Sequence, residues 1–179
     1  MKQRRQFPSF EKCNSSMQLT RAADYAVRVM VYLATLPENQ RALLPDLALA
    51  TDAPDSFLSK VLQALAHAEL ISSRRGKLGG FAILARGREA TMREVIEAVD
   101  GPICLNVCLN GSKECDRKPT CPAHPVWARA QRAMLDVLMS VTVTSMAVKA
   151  SPSTRSSLPS LKQNPQECLI PSRTATIQP

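Results

Sequence analysis

Apolar residues recur at helical spacing through most of residues 17–148 of this 179-residue sequence. Between Thr20 and Leu36 they cover most of the helix circumference, which predicts a helix buried on two faces. Thr20 is a suitable N-cap for this helix, and Pro37 ends it. We therefore expect the first helix to lie inside a helical core.

Two short helices joined by a tight turn follow. The pattern predicts helices over Pro45–Thr51 and Asp55–Ala68, with the turn Asp52-Ala53-Pro54 between them. Such a pair is a helix-turn-helix, whose second helix places its N-terminal end in the DNA major groove. Phe57 at that end either contacts a thymine methyl group or anchors the helix. The candidate DNA contacts of the second helix are Ser56, Phe57, Ser59 and Lys60.

A basic hairpin is predicted next. Leu70–Arg75 and Phe81–Leu84 predict two short strands, and the glycine-rich connection Gly76–Gly80 permits a tight turn between them. A basic hairpin after a helix-turn-helix is a wing, in which Arg75 is suited to the negative potential of a minor groove. Arg21 of the first helix is a further candidate, for a phosphate. The candidate DNA contacts of the wing are Arg74, Arg75 and Lys77, in a cluster that also holds Arg86 and Arg88.

Helical spacing returns twice after the wing. Thr91–Val99 predicts a helix with a capping box, and residues 125–148 predict one long helix. The long helix carries an apolar seam at spacings of three and four, which is typical of a packed helix pair. Few other elements remain to cover this seam, so we expect a partner subunit there. The seam consists of Trp127, Ala130, Met134, Val137 and Val141.

These elements define a mainly α fold with a small β-hairpin: a winged helix-turn-helix domain plus a long dimerisation helix. The expected units are a disordered leader (1–16), the DNA-binding domain (17–101), a cysteine-rich loop (102–124), the dimerisation helix (125–148) and a disordered Ser/Pro-rich tail (149–179).

The charge and the apolar content exclude some classes of protein. The net charge is +8, but segments 1–16 and 149–179 each hold four Lys or Arg against one Glu, so most of the excess lies in the predicted tails. No stretch approaches the roughly 20 apolar residues of a membrane helix, and we expect a cytoplasmic protein. No nucleophile–base pair, phosphate loop or cofactor fingerprint is present, so we predict no enzyme.

The cysteines are concentrated in one loop. Four of the six lie within the 18 positions from Cys104 to Cys121, and His124 follows. Such short gaps let a loop turn several sulfurs toward one point, and thiolates bind iron or zinc. By ligand type alone, a structural Cys₃His zinc site fits as well as an iron site. The spacing therefore predicts a metal or thiol centre without choosing between them.

The sequence resembles a known family at several points. Met17-Gln18-Leu19-Thr20 with Asp24-Tyr25-Ala26-Val27-Arg28, the helix-turn-helix, the glycine-rich wing and the stretch Glu97–Gly101 are similar to the IscR/NsrR superfamily of bacterial winged-helix regulators. The resemblance implies a homodimer on a palindromic operator in double-stranded DNA. It also implies an iron–sulfur cluster, [2Fe–2S] or [4Fe–4S], on three loop cysteines. The matching positions are Cys108, Cys115 and Cys121, with Cys104 as an extra cysteine.

Two residues are candidates for the fourth ligand. In the IscR type the fourth ligand is a histidine shortly after the last cysteine, and His124 matches that position. In the NsrR type it is an aspartate donated by the partner subunit, and Asp24 matches that one. Each has an alternative role. Asp24 is spaced for ion pairs with Arg21 and Arg28 on one helix face, and His124 is placed to begin a helix.

Together these features predict a transcription regulator, acting as a repressor, whose operator affinity is set by an iron–sulfur cluster. The cluster would sense iron–sulfur status, nitric oxide or redox state. The alternative is a winged-helix regulator with a zinc or thiol/disulfide switch in place of the cluster.

Overall fold

A computed structural model of the chain describes residues 19–76, 79–109 and 115–150. This part contains seven α-helices, one 3₁₀ turn and an antiparallel β-hairpin, which confirms the predicted mainly α class. The elements are α1 (Arg21–Thr35), α2 (Leu44–Thr51), α3 (Asp55–His67), β1 (Ile71–Arg74), β2 (Gly80–Ile83), α4 (Ala85–Glu89), α5 (Met92–Asp100), the 3₁₀ turn (Val107–Leu109), α6 (His124–Met139) and α7 (Val143–Ala150).

Helix α1 is the centre of the core. Thr20 caps it by accepting a hydrogen bond from the Ala23 N–H at 3.2 Å. The helix packs against α2 and α3 on one side and against α5 and α7 on the other, as its two apolar faces predict. Its buried residues are Ala23, Ala26, Val29, Met30 and Leu33.

Helices α2 and α3 form the predicted helix-turn-helix. Asp52 ends α2 in the left-handed conformation, with φ 53° and ψ 47°. Aspartate adopts this conformation more readily than most residues, because its short side chain hydrogen-bonds locally. The turn directs one side of α3 into the core, and the buried side consists of Leu58, Val61, Leu62 and Leu65.

Strands β1 and β2 form the wing, with Ile71 opposite Ile83 and Arg74 opposite Gly80. Helix α4 follows at once and was not predicted, since five residues are too few to show a period. Its Gly87 lies against Leu70, the residue before β1, and a Cβ atom there would clash with the Leu70 carbonyl oxygen. Only glycine therefore allows this close packing.

The prediction of one helix over residues 125–148 is wrong. Helix α6 ends at Met139, and α7 begins at Val143. Between them the chain is pinned to the segment before α5, because the Met92 N–H donates to the Val141 carbonyl at 2.8 Å and the Val143 N–H to that of Ala90 at 2.9 Å. These bonds turn α7 back onto α1.

Helix α7 also shortens the predicted tail. Lys149 and Ala150, expected to begin it, are the last residues of α7, whose Val143 and Ala147 are buried. The predicted leader 1–16 and tail residues 151–179 lie outside the described residues. Among the described helices, none has the length and apolarity needed to cross a membrane.

Candidate DNA-binding surface and cysteine loop

The N-terminal end of α3 is open to solvent, with Ser56 and Lys60 exposed. Phe57 is 40% exposed, but its ring meets that of Tyr25 edge to face, with centroids 5.6 Å apart. Ser59 uses its hydroxyl within the helix, donating to the Asp55 carbonyl at 3.0 Å. Of the two roles predicted for Phe57, this packing supports that of an anchor.

The wing presents arginines at its tip. Arg74 and Arg75 are exposed, and Lys77 lies outside the described residues. The other two members of the basic cluster hold backbone: Arg86 donates to the Ala68 carbonyl, and Arg88 donates to two carbonyls at the end of α1. Both guanidinium groups therefore help to hold the fold together, whereas those of Arg74 and Arg75 at the tip are exposed.

Helix α1 bears a polar stripe beside the helix-turn-helix. Arg21 is exposed in the first turn. Arg28 forms an ion pair with Asp24, with 2.7 Å between Nη2 and Oδ2. The same guanidinium donates from Nη1 to the Thr51 carbonyl at 3.2 Å, at the end of α2. The ion pair predicted between Asp24 and Arg28 is therefore present. Arg28 also links it to the end of α2, directly before the turn that leads to the recognition helix.

The first part of the cysteine loop is anchored at both sides. Glu97 of α5 accepts from the Ile103 N–H at 3.3 Å, and Gln131 of α6 accepts from the Leu105 N–H at 2.9 Å. Cys108 is buried in the 3₁₀ turn that follows, whereas Cys104, Cys115 and Cys121 are half-buried. No local pattern indicates these two anchors, because a lone Glu or Gln on a helix is usually solvated.

His124 begins α6 directly after the loop. Its N–H donates to the Cys121 carbonyl at 3.2 Å, which places the two residues in one turn. Its Nδ1 atom is buried and has no hydrogen-bond partner in the described part of the chain. A buried imidazole nitrogen of this kind is chemically suited to bind a metal.

The predicted ligands are not gathered into one site in the described residues. No three Cys, His, Asp or Glu side chains there are close enough together to hold a metal ion. Residues 110–114, between Cys108 and Cys115, are outside the described part. Asp24 lies on α1 and is occupied by Arg28.

A bond between distant segments ties the loop to α1. The Thr20 hydroxyl donates to Asp100 Oδ1 at 2.7 Å, and the Thr20 N–H donates to Oδ2 at 3.3 Å. Asp100 ends α5 immediately before the loop. Sequence reasoning recognised Thr20 only as a helix cap, since nothing in the pattern pairs residues 80 positions apart.

A helix-turn-helix with an exposed recognition helix, followed by a hairpin with an arginine tip, defines a winged-helix DNA-binding protein. The profile of the Rrf2 family, described as "Iron-dependent Transcriptional regulator", matches residues 19–149. The chain therefore belongs to the Rrf2 family of transcription regulators, and it is a regulator rather than an enzyme.

Similar proteins support this assignment. Rv1287 of Mycobacterium tuberculosis, whose name describes an HTH-type transcriptional regulator, is 32% identical over 76% of this chain and 84% of its own length. The regulator NsrR of Geobacillus kaustophilus is 30% identical over 73% of this chain and 89% of its own. The structure of CymR, "the Global Cysteine Regulator of B. subtilis", superposes with a TM-score of 0.61 at 22% identity, covering 76% of this chain and all of that one.

Proposed function

We propose that this chain is a cytoplasmic, homodimeric repressor whose operator affinity is set by an iron–sulfur cluster on the cysteine loop. The observation that carries the cluster is the Nδ1 atom of His124, one turn after Cys121, which is buried and has no hydrogen-bond partner among the described residues. A buried polar atom without a partner costs free energy, about 1–3 kcal/mol, unless something binds it. A metal ion bound there would remove that cost.

The donor types fit such a cluster. Cysteine thiolates hold iron–sulfur clusters, and histidine replaces cysteine in some of them. The ligands we propose are Cys108, Cys115, Cys121 and His124. When bound, the cluster supplies a centre that responds to oxidants, nitric oxide and iron supply. The protein contributes the loop anchors Glu97 and Gln131, which fix the path of the chain before Cys108.

Asp24 is the other candidate for the fourth ligand. Its carboxylate is about half exposed, and it lines an apolar groove of about 240 Å³ between α1 and α5. A loop from a partner subunit could reach it there. Its bond to Arg28 has to break for this, whereas the Nδ1 atom of His124 has no hydrogen bond to lose in the described part of the chain. We therefore assign the fourth ligand to His124.

Dimerisation is proposed through α6. No residue of this 16-residue helix is buried within the chain. Exposed apolar side chains in water favour association, because burying them is worth about 25 cal/mol per Å². Two copies joined in this way present two recognition helices to a palindromic operator, with half-sites about one DNA turn apart. The exposed apolar residues of α6 are Val126, Trp127, Val137 and Met139.

DNA contacts in this proposal come from three places. The recognition helix supplies Ser56 and Lys60, the wing supplies Arg74 and Arg75, and α1 supplies Arg21 near a phosphate. All five are exposed.

The test is an absorption spectrum with iron and sulfide analysis of anaerobically purified protein. We expect a coloured protein. Cys121→Ser should abolish cluster binding, and His124→Ala should change the absorption spectrum of the cluster. Cys104→Ser is the matched control, since it changes a loop cysteine outside the proposed ligand set. Colourless protein without iron or sulfide would overturn the cluster, and a change on Asp24→Ala instead of His124→Ala would move the fourth ligand to Asp24.

A second candidate is a zinc or thiol/disulfide switch in the same loop. The observation that favours it is the set of donor types, since Cys108, Cys115, Cys121 and His124 are also the ligands of a structural Cys₃His zinc site. Stoichiometric zinc in the same analysis would select the zinc site. Metal-free protein whose operator affinity changes when its loop thiols are oxidised to a disulfide would select the thiol switch.

A further inference from the structure

Four side chains of α3 lie opposite its buried face. With 3.6 residues per turn, Ser56, Lys60, Gln63 and His67 fall within a sector of about 60° on the helix surface. All four are exposed. Sequence reasoning named the first two and missed Gln63 and His67, because it considered only the first turns of the helix.

Two residues named from the sequence lie off this line. Phe57 is turned toward Tyr25 and packs against its ring. Ser59 is half-buried and donates its hydroxyl hydrogen to the Asp55 carbonyl, so this hydrogen is not available for a base. The residues of α3 that face away from the core therefore differ from the DNA contacts predicted at the N-terminal end of the helix.

Gln63 is the member of this line best suited to recognise a base. Its carboxamide has no hydrogen-bond partner in the described part of the chain, so both its donor and its acceptor are available. It follows Ser56 by seven residues. At 1.5 Å per residue this is about 10.5 Å, or roughly three base-pair steps of 3.4 Å along the groove.

We propose that Gln63 determines specificity by binding an adenine in the major groove of each half-site. Nε2 donates to adenine N7, and Oε1 accepts from adenine N6, a pairing that no other base offers at that edge. The adenine lies about three base pairs from the pair that faces Ser56. Lys60, between them, contacts a guanine or a phosphate. This proposal rests on the recognition-helix part of the proposed function and does not depend on the cluster.

The experiment selects binding sites from a pool of duplexes randomised over about three helical turns, using the full chain as purified anaerobically. We expect the wild-type protein to select a palindrome with an A·T pair at one symmetric position that Gln63→Ala no longer specifies. On the wild-type operator, Gln63→Ala should bind roughly 5- to 100-fold more weakly, the effect of losing one bidentate contact. Gln63→Glu should move the preference at that position toward cytosine, whose N4 amine donates to a carboxylate.

Two comparisons separate base recognition from general weakening. Gln40→Ala removes an exposed glutamine outside α3 and should leave the selected sequence and the affinity unchanged. Lys60→Ala should weaken binding more evenly across sequences and reduce its salt dependence if Lys60 meets a phosphate.

The outcomes distinguish the role of Gln63 from DNA binding by the protein as a whole. If Gln63→Ala selects the same sequence with the same preference at every position, the role of Gln63 is overturned while DNA binding stands. If the wild-type protein selects no sequence, both the role of Gln63 and the DNA-binding function are overturned. Circular dichroism of each variant should match that of the wild-type protein, because the Gln63 side chain is exposed.

Discussion

The ring of Tyr25 on α1 meets the ring of Phe57 on α3 at 75°, with 5.6 Å between centroids. The same stretch of α1 holds Arg28, whose guanidinium lies 5.9 Å from the Tyr25 ring centroid and donates to the Thr51 carbonyl. Thr51 precedes the turn of the helix-turn-helix, and Phe57 follows it. Helix α1 therefore fixes the recognition helix from both sides of that turn.

The aromatic pair should contribute measurably to stability. We expect Tyr25→Ala and Phe57→Ala to be less destabilising together than the sum of the two, with a coupling of about 0.5–1.5 kcal/mol, as for other edge-to-face pairs. Urea unfolding of the two single variants and the double variant, at one fixed protein concentration, measures this coupling. Additive free energies of unfolding would show that the rings do not interact.

Arg28 should matter more through the Thr51 carbonyl than through Asp24. Arg28→Met removes both bonds, and we expect a loss of about 0.5–1.5 kcal/mol, discounted because the side chain is half exposed. Asp24→Asn removes only the exposed ion pair and should cost at most about 0.5 kcal/mol. Equal losses in chemical unfolding of the two variants would contradict this ranking.

Thr20 should be needed both to begin α1 and to hold the end of α5. Thr20→Ala removes the cap and the bond from the Thr20 hydroxyl to Asp100, and we expect a loss of about 1–2 kcal/mol. Thr20→Ser keeps the hydroxyl and serves as the matched control, with a much smaller loss. Hydrogen exchange should show faster exchange in the first turn of α1 for Thr20→Ala alone; protection unchanged from the wild-type protein would rule out this role.

Gly87 should tolerate no side chain. A Cβ there would clash with the Leu70 carbonyl oxygen, so Gly87→Ala must push α4 away from the backbone before β1, and we expect it to cost about 1–3 kcal/mol or more. Gly76→Ala is a useful comparison: it has positive φ but open space around it, so it carries conformational strain alone. Thermal unfolding of both variants should find Gly87→Ala the less stable.

The exposed apolar residues of α6 should control the oligomeric state of the protein. Val137 is 65% exposed, and we expect Val137→Glu to shift the protein from dimer to monomer in sedimentation without loss of helix content. Leu49→Glu places the same charge on α2, at a leucine that is 88% exposed, and should leave the dimer intact. A wild-type monomer, or a Val137→Glu variant that remains dimeric, would disprove the proposed interface.

Local patterns predicted most of the elements correctly. Thr20 and Thr91 were recognised as caps, and both cap their helices. The alternation of buried and exposed residues on α3 follows from its helical period, since one face of a surface helix is apolar. The sequence order of helix-turn-helix and basic hairpin likewise predicted the winged-helix class, because these motifs are formed by residues close together in the chain.

Contacts between distant residues could not be predicted in this way. The helical period of residues 125–148 continues through Val141, so the sequence predicted one helix. Helix α6 instead ends at Met139, and hydrogen bonds join the segment after it to Ala90 and Met92. The sequence placed Arg88 in the basic cluster of the wing, and only the fold showed that its guanidinium binds carbonyls at the end of α1. The sequence position of an arginine does not show which distant backbone carbonyl its guanidinium will bind in the fold.

The amino-acid sequence by itself therefore determined the winged-helix class, the position of the recognition helix and the concentration of cysteines in one loop. These depend on residue type and short spacing. Only the tertiary structure decided that Phe57 packs on Tyr25, that Asp100 binds Thr20, and that the Nδ1 atom of His124 is buried with no partner in the part of the chain that is described. Each of these facts depends on which surfaces exclude water when separate segments pack together, and no local pattern records that.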